Sequence, residues 1–188
     1  FDVRGAVEPR VVVGGRAAIG AFSLDDRQTT LACLRGNMSE LAQVWVYDLD
    51  AEGALKRCTD RTVRHARKRT TVNQALFDQR DQGKVEETWI KSPDGTDLQG
   101  WILKPPDFDP ARTYPAILEI HGGPTAEYGY LFMHEFRVLS AQGYVVFFCN
   151  PRSSQGYGEE HCRVAFNHFG TVDYEDVMAW VDLVQSKP

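Results

Sequence analysis

A chain of 188 residues is long enough for one domain or for parts of two. Its 43% hydrophobic and 25% charged residues are the balance of a globular protein, and its net charge of −5 excludes the basic footprint of a general nucleic-acid binder. Four cysteines, Cys33, Cys58, Cys149 and Cys162, lie too far apart for a C-x-x-C pair, which points to a reducing, cytoplasmic setting. With no apolar run near the roughly 18 residues of a membrane span, no membrane partner is expected.

Residues 1–62 alternate short apolar runs with turn chemistry. Val11–Val13 end at Gly14-Gly15, Ala18–Phe22 run into Ser23-Leu24-Asp25-Asp26, and Thr29–Leu34 stop at Gly36-Asn37. Gln43–Leu49 and Leu55–Cys58 follow, so an antiparallel meander the size of one propeller blade is expected. No second copy of the unit occurs, and one blade cannot cover both of its own faces. Residues 63–84 are polar and read as a linker, including the basic run Arg64, Arg67, Lys68 and Arg69, which has no interleaved aromatics to suit a phosphate site.

Residues 85–188 change period. Val85–Lys91 and Leu98–Lys104 flank Ser92-Pro93-Asp94-Gly95, a hairpin in which proline presets φ and glycine supplies a positive one. The nearly continuous apolar run Ala116–Ile120 predicts a strand covered on both faces. A helix over Leu131–Ala141, capped by Gly143, leads to a second buried strand at Tyr144–Cys149. Asp173 can cap a last helix that turns Val177, Val181 and Val184 inward and ends near Ser186. Strand, helix, strand, helix is the order of a parallel α/β sheet, and the strand at Tyr144–Cys149 is expected at its exposed edge.

Chemistry concentrates at the carboxyl ends of those two strands, where open α/β sheets bind ligands. His121-Gly122-Gly123-Pro124 closes the first. Paired glycines let the backbone approach a substrate and aim N–H groups at a developing oxyanion. A plain tight turn would use the same residues.

Trp101-Ile102-Leu103-Lys104-Pro105, Tyr114-Pro115 and His121-Gly122-Gly123-Pro124 together resemble the opening of the peptidase domain in the prolyl oligopeptidase family of serine peptidases, with the acylaminoacyl-peptidase branch the nearer match. Asn150-Pro151-Arg152-Ser153-Ser154-Gln155-Gly156-Tyr157-Gly158 is similar to that family's N-x-R-G-S-x-G-Y-G loop, with Ser153 where the family usually has glycine. The resemblance implies the first half of an α/β-hydrolase domain preceded by the last blade of a β-propeller. It implies a peptidase of short peptides, N-acylated ones among them, without cofactor or metal. Gly123, or Gly122 in its place, would donate one oxyanion N–H; Arg152 and Tyr157 would lie against substrate, and His121 would either do the same, orient the oxyanion loop or make a structural hydrogen bond within it. The parent could form a homo-oligomer.

The nucleophile is not found in the chain. Ser154 has Gly156 two residues on, but Arg152 stands where the G-x-S-x-G elbow needs glycine, and no histidine follows Asp173, Asp176 or Asp182 to complete a triad in the order Ser, acid, His. The resemblance implies that serine, acid and histidine lie beyond residue 188, so the chain alone is expected to be inactive. His134-Glu135 lacks the second histidine of a zinc site, and Cys149 has no neighbouring base in sequence to activate it. A carboxylesterase using the same H-G-G loop is the alternative enzyme, and a non-catalytic interaction module the alternative from another class.

Overall fold

A computed structural model describes residues 11–49, 66–123 and 125–187. Two compact units divide the chain, the first reaching Leu76 and including Tyr130–Phe132, the second made of Phe77–Gly129 and the residues from Met133 on.

The first unit is an antiparallel sheet in the order β1-β2-β3-β4, built from β1 (Ala18–Leu24), β2 (Thr30–Asn37), β3 (Glu40–Asp48) and β4 (Ala66–Lys68). Alternation puts Leu31, Cys33 and Tyr47 on one buried face with Leu49. Val11–Val13 do not form the expected strand; Val12 and Val13 instead pack as loop residues against that cluster. On β1, Phe22 stays 73% exposed, with Ile19 and Leu24 also open. The expected strand at Leu55–Cys58 lies outside the described residues.

The stretch read as linker contains β4. Its three residues pair with Trp45, Val46 and Tyr47 of β3. Arg67 makes a bidentate pair with Asp48, at 2.7 and 2.8 Å, and Lys68 an ion pair with Glu40. The buried Gln43 side chain accepts from the Thr70 hydroxyl and the Val72 N–H and donates to the Val72 carbonyl. Part of the basic run is therefore sheet. Three residues carry no period by which sequence could reveal them.

After the short α1 (Gln74–Asp78), the second unit forms a mixed sheet in the order β5-β6-β8-β7. Its strands are β5 (Val85–Lys91), β6 (Asp97–Leu103), β7 (Ala116–Glu119) and β8 (Val145–Cys149). The β5–β6 hairpin closes through Ser92 to Thr96, with Gly95 at φ +92°. β8 runs antiparallel to β6 and parallel to β7. The sequence reading placed this strand at the sheet's edge, and that is corrected: β8 lies inside and β7 takes the edge. All five residues of β8 are buried, whereas those of β7 are not, so the more apolar strand takes the better-covered position.

Helices cover both faces of β8. Val145, Phe147 and Cys149 point to α4 (Val172–Ser186) and meet Val177 and Trp180. On the other face, Phe148 lies 4.8 Å from Phe136 of α2 (His134–Ala141) and 5.5 Å from Trp101, ring centre to ring centre. Trp180 sits so near β6 that a Cβ on Gly100 would come within 2.5 Å of its ring. A further short helix, α3 (Glu159–Arg163), follows the β8 loop and was not expected. Helix α4 starts at Val172. Asp173 does not precede it as a cap but reaches back to accept from the N–H groups of Gly170 and Thr171.

Candidate functional site

Because β7 and β8 are parallel neighbours, their carboxyl ends open on the same edge of the sheet, and the loops that follow them meet. Asn150 zips the two together. Its side-chain Oδ1 accepts from the Tyr128 N–H and its Nδ2 donates to the Tyr128 carbonyl, both at 2.8 Å, as a neighbouring strand would. The Gln155 N–H adds a bond to the Ala126 carbonyl at 3.1 Å. Tyr128 then sets its ring edge-on to His121, Phe136 and Phe148. Burial first, then the Glu119 carboxylate, holds its phenol well above the usual tyrosine range. Glu119, at the end of β7, has its carboxyl raised by burial and then by Glu135.

The first loop is backbone chemistry. Gly122 and Gly123 are exposed. Gly123 adopts φ +132°, and a Cβ there would fall 2.7 Å from the Ala126 nitrogen, so both conformation and space demand glycine. Among the described residues, a Cβ on Gly122 would meet nothing within 4 Å. His121 is half-buried, with Nδ1 3.1 Å from the Gly122 carbonyl and Nε2 3.0 Å from the Ser154 hydroxyl.

The second loop is buried side-chain chemistry. Arg152, only 4% exposed, directs its guanidinium at Asp176 of α4, with Nε at 2.9 Å and Nη2 at 2.7 Å. It also pairs with Asp94 of the hairpin and lies 3.8 Å from Glu175. The Arg152 N–H donates to Asp176 as well, at 2.8 Å. Hydrogen bonds from Ser92 and Thr96, more than the charge of Arg152, hold the Asp94 carboxyl well below the usual range. Ser153 takes φ +89°, a conformation ordinarily left to glycine, while its N–H donates to the His161 carbonyl at 2.9 Å. His161, its ring nitrogen against the Pro151 carbonyl, is pushed toward its neutral form by burial.

Of the residues expected against substrate, His121 and Tyr157 stand at the loop junction, whereas the Arg152 guanidinium is committed to protein acids. Tyr157 donates to the Gln99 side chain at 2.6 Å, accepts from Asn150 at 2.7 Å and packs edge-on to Trp89. Ser154 contacts a histidine, yet it is fully buried, and its hydroxyl also lies 2.7 Å from the Pro151 carbonyl. The His121 nitrogen where a triad's acid would bind faces the Gly122 carbonyl instead. No substrate carbonyl can reach that hydroxyl. Burial raises the Cys149 thiol to about 12, which leaves it protonated and inert. Sequence reading missed Asp176 as the partner of Arg152. The available signal was an acid placed directly before Val177 on the helix's apolar face.

The model for the prolyl oligopeptidase family matches residues 130–188. The uncharacterized peptidase YuxL of Bacillus subtilis is 45% identical over 97 residues, which cover 52% of this chain and 15% of that protein. Dipeptidyl-peptidase 5 of Porphyromonas gingivalis is 31% identical over 121 residues, 63% of this chain and 18% of that one. The uncomplexed acylaminoacyl peptidase of Pyrococcus horikoshii superposes with a TM-score of 0.78 at 26% identity, covering 95% of this chain and 26% of that structure. The chain thus spans less than a fifth of these two relatives' length and about a quarter of that neighbour's. Residues 130–188 thus match the prolyl oligopeptidase family, and the relatives and structural neighbours that the chain resembles are peptidases.

Proposed function

We propose that residues 85–188 are the first half of the α/β-hydrolase domain of a serine peptidase, and that they supply one side of its oxyanion hole. The observation that carries this reading is the exposed His121-Gly122-Gly123 loop at the carboxyl end of β7, fastened to the loop after β8. In acyl transfer, N–H groups at such a strand end stabilise the negative charge that grows on the attacked carbonyl oxygen. Gly123 is the proposed donor, because its φ and its close backbone neighbour accept no side chain. The nucleophilic serine, activated by a histidine that an acid orients, would come from outside these residues. The burial of Ser154 supports that division of labour.

In the same reading, the sheet that ends with β4 is the end of a β-propeller, which fits a meander with Phe22 and Leu24 left open on its outer strand. Substrates are short peptides, N-acylated or with a free amino end. Relatives named as dipeptidyl-peptidases and neighbours named as acylaminoacyl peptidases support a peptide substrate and leave its end group to experiment. The proposed setting is cytoplasmic, without a metal or organic cofactor.

Labelling the full-length protein with a fluorophosphonate and mapping the adduct tests this reading. One adduct on a serine outside residues 1–188 is expected, with loss of peptide hydrolysis. An adduct on Ser154, or active protein that takes up no probe, would sink it.

A further inference from the structure

We infer that the cavity between the β5–β6 hairpin and α3 is a binding site for an organic cation, an alkylated ammonium or a guanidinium, held on the faces of Trp89 and Tyr157 beside Glu160. This goes beyond the oxyanion reading and stands without it.

The cavity has a volume of about 510 Å³, in the range of small-molecule sites. The Asn150 N–H donates to the Gln99 carbonyl at 2.8 Å, so the hairpin turn, on that side of Gln99, projects past the carboxyl end of β8. The cavity therefore opens on the same edge of the sheet as the glycine loop. It does so at β5, three strand spacings or roughly 15 Å from β7. A residue whose carbonyl is attacked beside Gly123 cannot fill it, whereas a remote group or a separate molecule can.

Two rings border it with their polar edges already occupied. Trp89 is 50% exposed and donates its indole N–H to Glu87 at 3.2 Å. Glu87 also accepts from the Gln99 Nε2 at 2.8 Å, and the Gln99 Oε1 accepts from the Tyr157 hydroxyl at 2.6 Å. This chain of hydrogen bonds locks the rings nearly perpendicular, with centres 6.1 Å apart. What each ring has left to offer is its π face, which attracts a cation.

The charges on the wall have the matching sign. Asp94, Asp97 and Glu160 line the cavity. Arg152, buried in its wall, is spent on Asp176 and Asp94, and Lys91 is spent on Asp97 at 2.7 Å. Glu160 has no ion pair among the described residues. His161 adds no charge against a cation, because burial pushes its ring toward the neutral form and the Pro151 carbonyl, which only accepts, fixes the hydrogen on Nε2. An anion would meet three carboxylates here, and a neutral apolar ligand would cover Glu160 without giving it a partner. A cation with an apolar stem satisfies both, with Val164 for the stem to lie on.

Choline and its uncharged carbon isostere, in which a tert-butyl group replaces the trimethylammonium, share one shape and differ in charge. Titration calorimetry of the full-length protein should show choline binding roughly tenfold tighter than the isostere. Trp89→Leu keeps an apolar side chain without the π face and should weaken choline about fivefold, while Trp89→Phe restores part of that loss. Glu160→Gln should weaken it about threefold. Equal affinity for the two probes would overturn the inference, and that comparison needs no variant to fold. So would choline that does not bind, or that binds Trp89→Leu and Glu160→Gln as tightly as wild type. Kinetics then identify the source of the cation. Choline that competes with a long peptide but not with a dipeptide assigns the site to a basic side chain of the substrate, and choline that binds yet inhibits neither assigns it to a free amine. Wild-type protein that takes up no fluorophosphonate would defeat the peptidase reading, while the calorimetry would still decide the cation site.

Discussion

Residues 121–123 and residues 150–154 leave adjacent parallel strands, yet the first loop is open and made of glycine backbone while the second is buried and made of charge. A donor meant for a transient oxyanion must stay unscreened by side chains, so the two glycines of the first loop bring no side chains with which to hold its shape. The second supplies what the first lacks. Asn150 pins the chain at Tyr128, Ser154 reaches His121, and Arg152 ties the frame to α4 and to the hairpin turn. One loop is proposed to do the chemistry, and the other keeps it in place.

The largest effect should come from breaking the frame. Asp176→Ala strands a buried guanidinium, a change that costs about 3–5 kcal/mol when no partner remains. Asp94 and Glu175 stay near Arg152, so a loss of roughly 3 kcal/mol, the lower end, is expected, read as a fall in the thermal midpoint of the full-length protein. The double variant Arg152→Met/Asp176→Leu should recover part of it, because an apolar pair leaves no buried charge unpaired. Wild-type melting of Asp176→Ala would mean that the guanidinium finds water, and that the second loop is not the rigid partner of the comparison.

Breaking the open loop should instead cost turnover more than stability. Gly123→Ala must move the backbone away from Ala126 and leave φ +132°, which displaces the proposed donor. A fall in kcat of about 10²-fold or more is expected, the scale of losing one oxyanion donor. Gly122→Ala, whose Cβ would meet none of the described residues, should lose less. If Gly122→Ala proved the more damaging, the donor would be the other glycine.

Much of this contrast is legible in the sequence. The β5–β6 hairpin follows from Ser92-Pro93-Asp94-Gly95, and β8 from its unbroken apolar run. Both signals are local, as is the strand-end H-G-G. What stayed hidden depends on partners distant in sequence. Arg152 reads as a crevice residue until Asp176, 24 positions on, arrives to neutralise it. Gly100 reads as a gap in a strand until Trp180 fills the space. Strand order was misread for the same reason: five apolar residues announce burial of both faces but not which strands lie on either side. Asn150 illustrates the limit well, since only the fold shows that its side chain imitates a strand.

The smallest expected effect tests how far the buried loop is strained. Ser153 holds φ +89° at a position where the family usually has glycine, and a residue with a Cβ there costs about 1–3 kcal/mol. Ser153→Gly relieves that strain but frees the unfolded chain, an opposing cost of about 0.4–1 kcal/mol. A net gain near 1 kcal/mol is expected, seen as a higher thermal midpoint, while Ser153→Ala keeps the Cβ and should gain nothing. A destabilised Ser153→Gly would show that the serine side chain contributes more than its backbone costs. The buried loop would then owe its shape to that side chain as well as to Arg152, and the contrast with the glycine loop would sharpen.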